Sequence, residues 1–229
     1  MLTSTSLVAV VHQNNFNKCL PALHWWQRWD ILHFSQSKAR RNAHLRRLTV
    51  EKMLKVSLVG HSQIPKSLNV NRADVRIFRA PGGRAHSFDS DHRLNQVLNW
   101  EHDLSILWLG SNDIASGIDP GLLAEKVLDI AREIERNCGA IVRICLIEPR
   151  VYSRRGPISS EEYKKVQNSV NKRIKRVKKY RVIQFNTLSF QETLSGDGTH
   201  WSSEGKERVI EKLLKVIQGY RDECGGSLD

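Results

Sequence analysis

The sequence predicts an α/β protein, a three-layer α/β/α sandwich with a parallel sheet at its centre. Three observations carry this. Short, almost wholly apolar runs recur after Met53, as strands covered on both faces require. Longer segments between them place apolar residues at helical spacing. The two kinds of segment alternate, which is the order that builds parallel strands joined by right-handed crossovers.

The first strand is Leu54–Gly60 and runs into a loop. The second is Val75–Phe78, ending at Pro81-Gly82-Gly83. A helix is expected over Ser87–Trp100, with Phe88, Leu94, Val97 and Leu98 on its inner side. Leu104–Leu109 is nearly all apolar and makes the third strand. Asp119 and Pro120 supply an N-cap and a proline at the first helical position. That helix continues through Leu122, Leu123, Val127, Ile130 and Ile134. Ala140–Ile147 is a fourth buried strand. Ser159 and Glu162 form a capping box opening a helix whose inner side is Tyr163, Val166, Val170, Ile174 and Val177. Val182–Phe185 is the last strand, and the final helix starts after His200 and buries Val209, Ile210, Leu213, Val216 and Ile217.

A chain of 229 residues fits one medium domain, and a hydrophobic fraction of 40% suffices for a core. Regular patterning starts near Met53. Residues 1–52 therefore read as a basic N-terminal appendage, 53–220 as the domain and 221–229 as a tail. Trp25, Trp26 and Trp29 of the appendage suit a docking patch or a peripheral packing cluster. No stretch approaches the roughly 20 apolar residues of a membrane span. Leu7–Val11 has no basic residue ahead of it and makes a poor signal peptide, so a cytoplasmic location is expected. Cys19, Cys138, Cys145 and Cys224 lack metal-knuckle or redox spacing and read as free thiols.

The net charge is +12. Residues 1–52 carry eight Lys/Arg against Asp30 and Glu51, a net of +6, which leaves +6 for the rest. Lys172, Arg173, Lys175, Arg176, Lys178, Lys179 and Arg181 crowd a second basic stretch. Such a stretch reads first as a solvated helix face, and second as a surface for a polyanion such as nucleic acid.

In open parallel sheets the ligand crevice lies beyond the carboxyl ends of the strands. Four segments stand there or just before the last helix: Gly60-His61-Ser62, Pro81-Gly82-Gly83, Gly110-Ser111-Asn112-Asp113 and Asp197-Gly198-Thr199-His200. Each has an ordinary local use, as a cap, a turn or an Asx motif. Together and in this order they resemble the SGNH hydrolase superfamily of GDSL-type esterases and lipases. The resemblance spans roughly Val56 to Val216. It implies the flavodoxin-like α/β/α sandwich and a serine hydrolase that cleaves carboxylic esters without a cofactor or metal.

By that resemblance Ser62 is the nucleophile, His200 the base and Asp197 the residue that orients the imidazole. The oxyanion hole is then formed by the Ser62 N–H, the N–H of Gly82 or Gly83, and the Asn112 side-chain amide. The chain departs from the family at His61, where the first block usually carries aspartate. This puts the hydrogen bonding of the nucleophile loop in question and admits an inactive, polyanion-binding module as the alternative. The segment Glu148–Pro157, with Arg150, Arg154 and Arg155, is a candidate lid or substrate-facing loop. A metal hydrolase built on His61, Asp197 and His200 is disfavoured, because no metal-ligand spacing is present.

Overall fold

A computed structural model describes residues 53–88, 92–150, 158–185 and 193–225. The chain divides into two units, Met1–Arg46 and Arg47–Asp229, and every described residue belongs to the second. Cys19, the three N-terminal tryptophans, Arg154 and Arg155 lie outside the described residues.

The described strands are β1 (Leu54–Gly60), β2 (Ala73–Arg79), β3 (Leu104–Trp108), β4 (Ile141–Cys145) and β5 (Arg181–Ile183). All pair in parallel, in the order β2-β1-β3-β4-β5. Every residue of β3 is buried, as a strand covered on both faces demands. The direction of winding reverses between β1 and β3. Such a reversal opens a crevice at the carboxyl ends of those two strands. Gly60 pairs with Trp108 there, so β1 and β3 end level with each other.

The helices are α1 (Arg93–Leu98), α2 (Ser111–Ile114), α3 (Pro120–Cys138), α4 (Ser160–Arg176) and α5 (Ser203–Gly225). The Asp119 carboxylate accepts from the N–H groups of Gly121 and Leu122 at 2.8 and 2.9 Å, which caps α3. Leu123, Val127, Ile130 and Ile134 are buried in one cluster with Val59, Leu107 and Ile144 of the sheet. Leu122 is 67% exposed, contrary to the sequence reading. It sits one position outside the apolar stripe, whose true members include Ala124, Leu128 and Ala131.

Ser159 Oγ accepts from the Glu162 N–H at 3.1 Å and starts α4. Tyr163, Val170 and Ile174 join the same cluster, with Val166 and Val177 half-buried beside it. Side chains alternate along a strand, so Arg143 faces away from its neighbour Ile144. Its guanidinium donates to Val216 O at 3.3 Å and lies 5.8 Å from the Tyr220 ring, which places α5 on the opposite face. Val209, Leu213 and Ile217 of α5 are buried, while Ile210 and Val216 are half-buried. The helix runs on to Gly225, and Cys224 near its end is buried.

The helix expected over 87–100 is shorter. A 3₁₀ turn covers Ala85–Ser87, and α1 starts only at Arg93, after His92 with a left-handed φ of 56°. A non-glycine residue in that conformation cannot continue a right-handed helix from the preceding chain. Phe88, Leu94 and Val97 are buried all the same, so the apolar pattern was right and the continuous helix was not. Among the described residues no helix is long and apolar enough to cross a membrane.

Candidate active site

The site starts from a close approach of two backbones. A Cβ on Gly60 would stand 2.0 Å from Trp108 O, so only glycine fits at the end of β1. The next residues then turn over the sheet edge. His61 N–H donates to Trp108 O at 3.3 Å, and Ser62 follows, half-buried, with its carbonyl accepting from Arg79 Nη2 at 2.9 Å.

The loop after β2 is a type II turn over Ala80-Pro81-Gly82-Gly83. Gly83 N–H donates to Ala80 O at 2.8 Å, proline takes the second position, and Gly82 has the positive φ of 70° that the third position needs. The Gly83 N–H is therefore engaged within the turn. Asp113 holds this loop from the next strand end. Its buried carboxylate accepts from Ala85 N–H at 2.8 Å, from His86 N–H at 3.3 Å and from His86 Nδ1 at 2.7 Å. Its neighbour Asn112 donates from Nδ2 to Gly83 O at 3.1 Å, bringing the second and third segments together.

The fourth segment is a tight loop over Ser195–His200. Ser195 N–H donates to His200 O at 2.7 Å, and Gly198 N–H to Ser195 O at 2.8 Å. His200 Nδ1 lies 2.6 Å from Asp197 Oδ2. The other Asp197 oxygen accepts from Ser195 Oγ at 2.6 Å and from the N–H groups of Thr199 and His200, both at 2.9 Å. Slight burial would raise the Asp197 pKa, but hydrogen bonds from His200, Ser195 and Thr199 outweigh it and hold the carboxyl well below the usual carboxylate range. An ionised Asp197 fixes the tautomer of His200, with the proton on Nδ1 and an accepting Nε2. The Gln63 side chain donates to Thr199 O, which ties the loop of His200 to the loop of Ser62.

His61 is fully buried beneath this surface. Its Nδ1 accepts from Gln63 N–H at 3.3 Å, so the proton of the neutral ring sits on Nε2 and points at Ser111 Oγ, 3.0 Å away. Burial lowers the His61 pKa against the opposing pull of Glu148, 3.7 Å from Nε2. Glu148 is buried too, and its other oxygen accepts from Trp108 Nε1 at 2.9 Å. Arg150 Nη2 donates to Ser111 Oγ at 3.1 Å and to Asn112 Oδ1 at 3.0 Å. With both nitrogens of His61 engaged, it forms no ligand set with Asp197 and His200. Among the described residues no group of His, Cys, Asp or Glu is placed to hold a metal ion.

The sequence assigns no role in the site to Gln63 or to Ser111, which it places in the third segment, and it places Glu148 and Arg150 in the candidate lid. The one signal for them is a charged residue, Glu148, directly after the apolar run of β4. Of the expected lid, Glu148 and Arg150 point into the strand-end network, and 151–157 lie outside the described residues.

The family model for GDSL-like lipases and acylhydrolases matches residues 47–213 of the chain. No curated protein matches it in sequence. Among solved structures, a lipolytic protein of the G-D-S-L family from Veillonella parvula superposes with a TM-score of 0.59 at 16% identity, covering 72% of this chain and 98% of that one. A carbohydrate esterase of family 3 from Talaromyces cellulolyticus gives 0.59 at 14% identity, over 75% and 99%. The lipase/acylhydrolase from Enterococcus faecalis gives 0.54 at 18% identity, over 73% and 97%.

Proposed function

We propose that this chain, which belongs to the GDSL-like lipase/acylhydrolase family, is a serine esterase that cleaves carboxylic esters at Ser62. The observation that carries this reading is the 2.6 Å Asp197–His200 pair on a loop that Gln63 ties to the nucleophile loop. In the proposed reaction His200 Nε2 takes the Ser62 proton as the oxygen attacks the ester carbonyl carbon. Asp197 stabilises the imidazolium that results. The developing oxyanion is met by the N–H groups of Ser62 and Gly82 and by Asn112 Nδ2. Gly82 is preferred over Gly83 because the Gly83 N–H already donates to Ala80 O. The intermediate collapses by expelling the alcohol, which leaves with the proton held by His200. Water, activated by the same imidazole, then frees the acid from Ser62.

Short-chain aryl esters are the first substrates to try, because they demand little of the pocket. Ser62→Ala and His200→Ala should each abolish nearly all turnover, and the double variant should be hardly worse, since members of one unit are non-additive. A fluorophosphonate should label Ser62 in the wild type and fail to label Ser62→Ala. A well-folded wild type that resists the probe and cleaves no ester would end the enzyme reading and leave the fold.

A further inference from the structure

We propose that Arg150 is a positioning residue for the oxyanion hole: it locks the Asn112 side-chain amide with its nitrogen facing the substrate. The inference rests on the esterase reading for its kinetic consequence, but its structural content is independent of turnover.

The geometry leaves one orientation for the amide. A guanidinium has only donors, and Arg150 Nη2 stands 3.0 Å from one end of the Asn112 amide. A backbone carbonyl only accepts, and Gly83 O stands 3.1 Å from the other end. Oδ1 therefore faces Arg150 and Nδ2 faces Gly83. The flipped amide would set donor against donor and acceptor against acceptor. Nδ2 has two hydrogens, and Gly83 O takes one. The second remains for the oxyanion, whereas a flipped amide would present an oxygen to developing negative charge. The cation on Oδ1 also polarises the amide and makes its N–H groups better donors.

Arg150 is itself held. The same Nη2 donates to Ser111 Oγ at 3.1 Å, the guanidinium lies 5.5 Å from the Tyr163 ring, and Ser111 Oγ is fixed from the far side by His61 Nε2 at 3.0 Å. The residue that departs from the family pattern thus buttresses the oxyanion amide through one hydroxyl and one guanidinium. This assigns His61 a place in the support of the site.

Arg150→Met keeps the stem that packs near Tyr163 and removes the donors. It should lower kcat for a short aryl ester by about tenfold or more, a share of the 10²–10³ that loss of a whole oxyanion donor brings, with KM little changed. Arg150→Lys should restore part of the loss. In an Asn112→Ala background the same Arg150→Met change should have almost no further effect. An equal loss in both backgrounds would overturn the proposal, since Arg150 would then act elsewhere. A second readout needs no turnover. The side-chain amide resonances of Asn112, assigned by their absence in Asn112→Ala, should show two distinct, slowly exchanging protons in the wild type. Arg150→Met should bring their shifts together and speed exchange. Unchanged resonances would refute the positioning claim even in a protein that proved to have no esterase activity, and that inactivity would count against the esterase reading alone.

Discussion

His61 shows how a single substitution in a motif is absorbed. An aspartate there would still accept from Gln63 N–H, but it would lose the Nε2–H that points at Ser111 and would add a second buried carboxylate beside Glu148. His61→Asp should therefore lower the melting temperature and leave ester turnover flat or reduced. A rise in turnover would show the histidine to be a defect. The pH dependence has a definite sign. The folded pKa of His61 is lowered, so below the ordinary value of about 6.5 the unfolded chain binds a proton that the folded chain refuses. Stability from this residue is present above about pH 6.5 and declines as the pH falls from there. Melting curves of wild type and His61→Asn between about pH 7 and pH 5 should diverge, with the variant less steep. Ser62 and Asn112 stand out in the sequence as reactive types just after strands, and Asp197 and His200 as reactive types just before the last helix. Gln63, Ser111 and Arg150 do not, because their partners lie up to 136 residues away and chain spacing carries no sign of them.

At the level of helices and strands, patterning located the five described strands: β1, β3 and β4 as apolar runs, β2 and β5 as shorter β-branched segments between turn residues. Caps were as readable. Asp119→Ala should destabilise by about 1 kcal/mol, visible as a lower melting temperature with activity unchanged. The failures were local. His92 adopts a left-handed conformation that composition does not signal, and α2, only four residues long, has no period to detect. Helix α4 presents the second basic stretch in three dimensions. A groove of about 630 Å³ between it and the segment after β4 is lined by Lys164, Lys172, Lys175, Arg176, Lys178 and Pro149. Neighbouring cations are paired, as Lys165 is with Glu161 and Lys179 with Glu135, whereas in the groove Lys175 donates to the neutral Gln184. Affinity for single-stranded RNA here should be at most weak and fall steeply with salt in anisotropy titrations, with reversal of Lys172, Arg173, Lys175 and Arg176 as the control. Submicromolar affinity at physiological salt would instead favour the binding-module reading.

The whole molecule poses the question of where the folding unit starts. Central strand β1 depends on β2 and β3, and both lie after Met53 in the chain. Among the described residues the start of β1 is tied to later ones: Leu54 N–H donates to Arg72 O at 3.2 Å, Lys55 N–H to Asp103 Oδ2 at 2.9 Å, and Asp103 N–H to Lys55 O at 2.9 Å. Met53 itself is 57% exposed, as a residue at the edge of a core would be. The family match starts close by, at residue 47. We infer that residues 1–52 are dispensable for the fold. A chain beginning at Met53 keeps every described strand pair and should show one cooperative thermal transition close to that of the full chain. An insoluble or molten product, lacking near-UV dichroism, would show that the N-terminal residues complete the core. The same chain separates two sources of charge. Removing eight Lys/Arg with Asp30 and Glu51 takes the net charge from +12 to +6 while leaving the α4 groove intact. Polyanion affinity that survives truncation belongs to the groove; affinity that disappears with it belongs to the appendage.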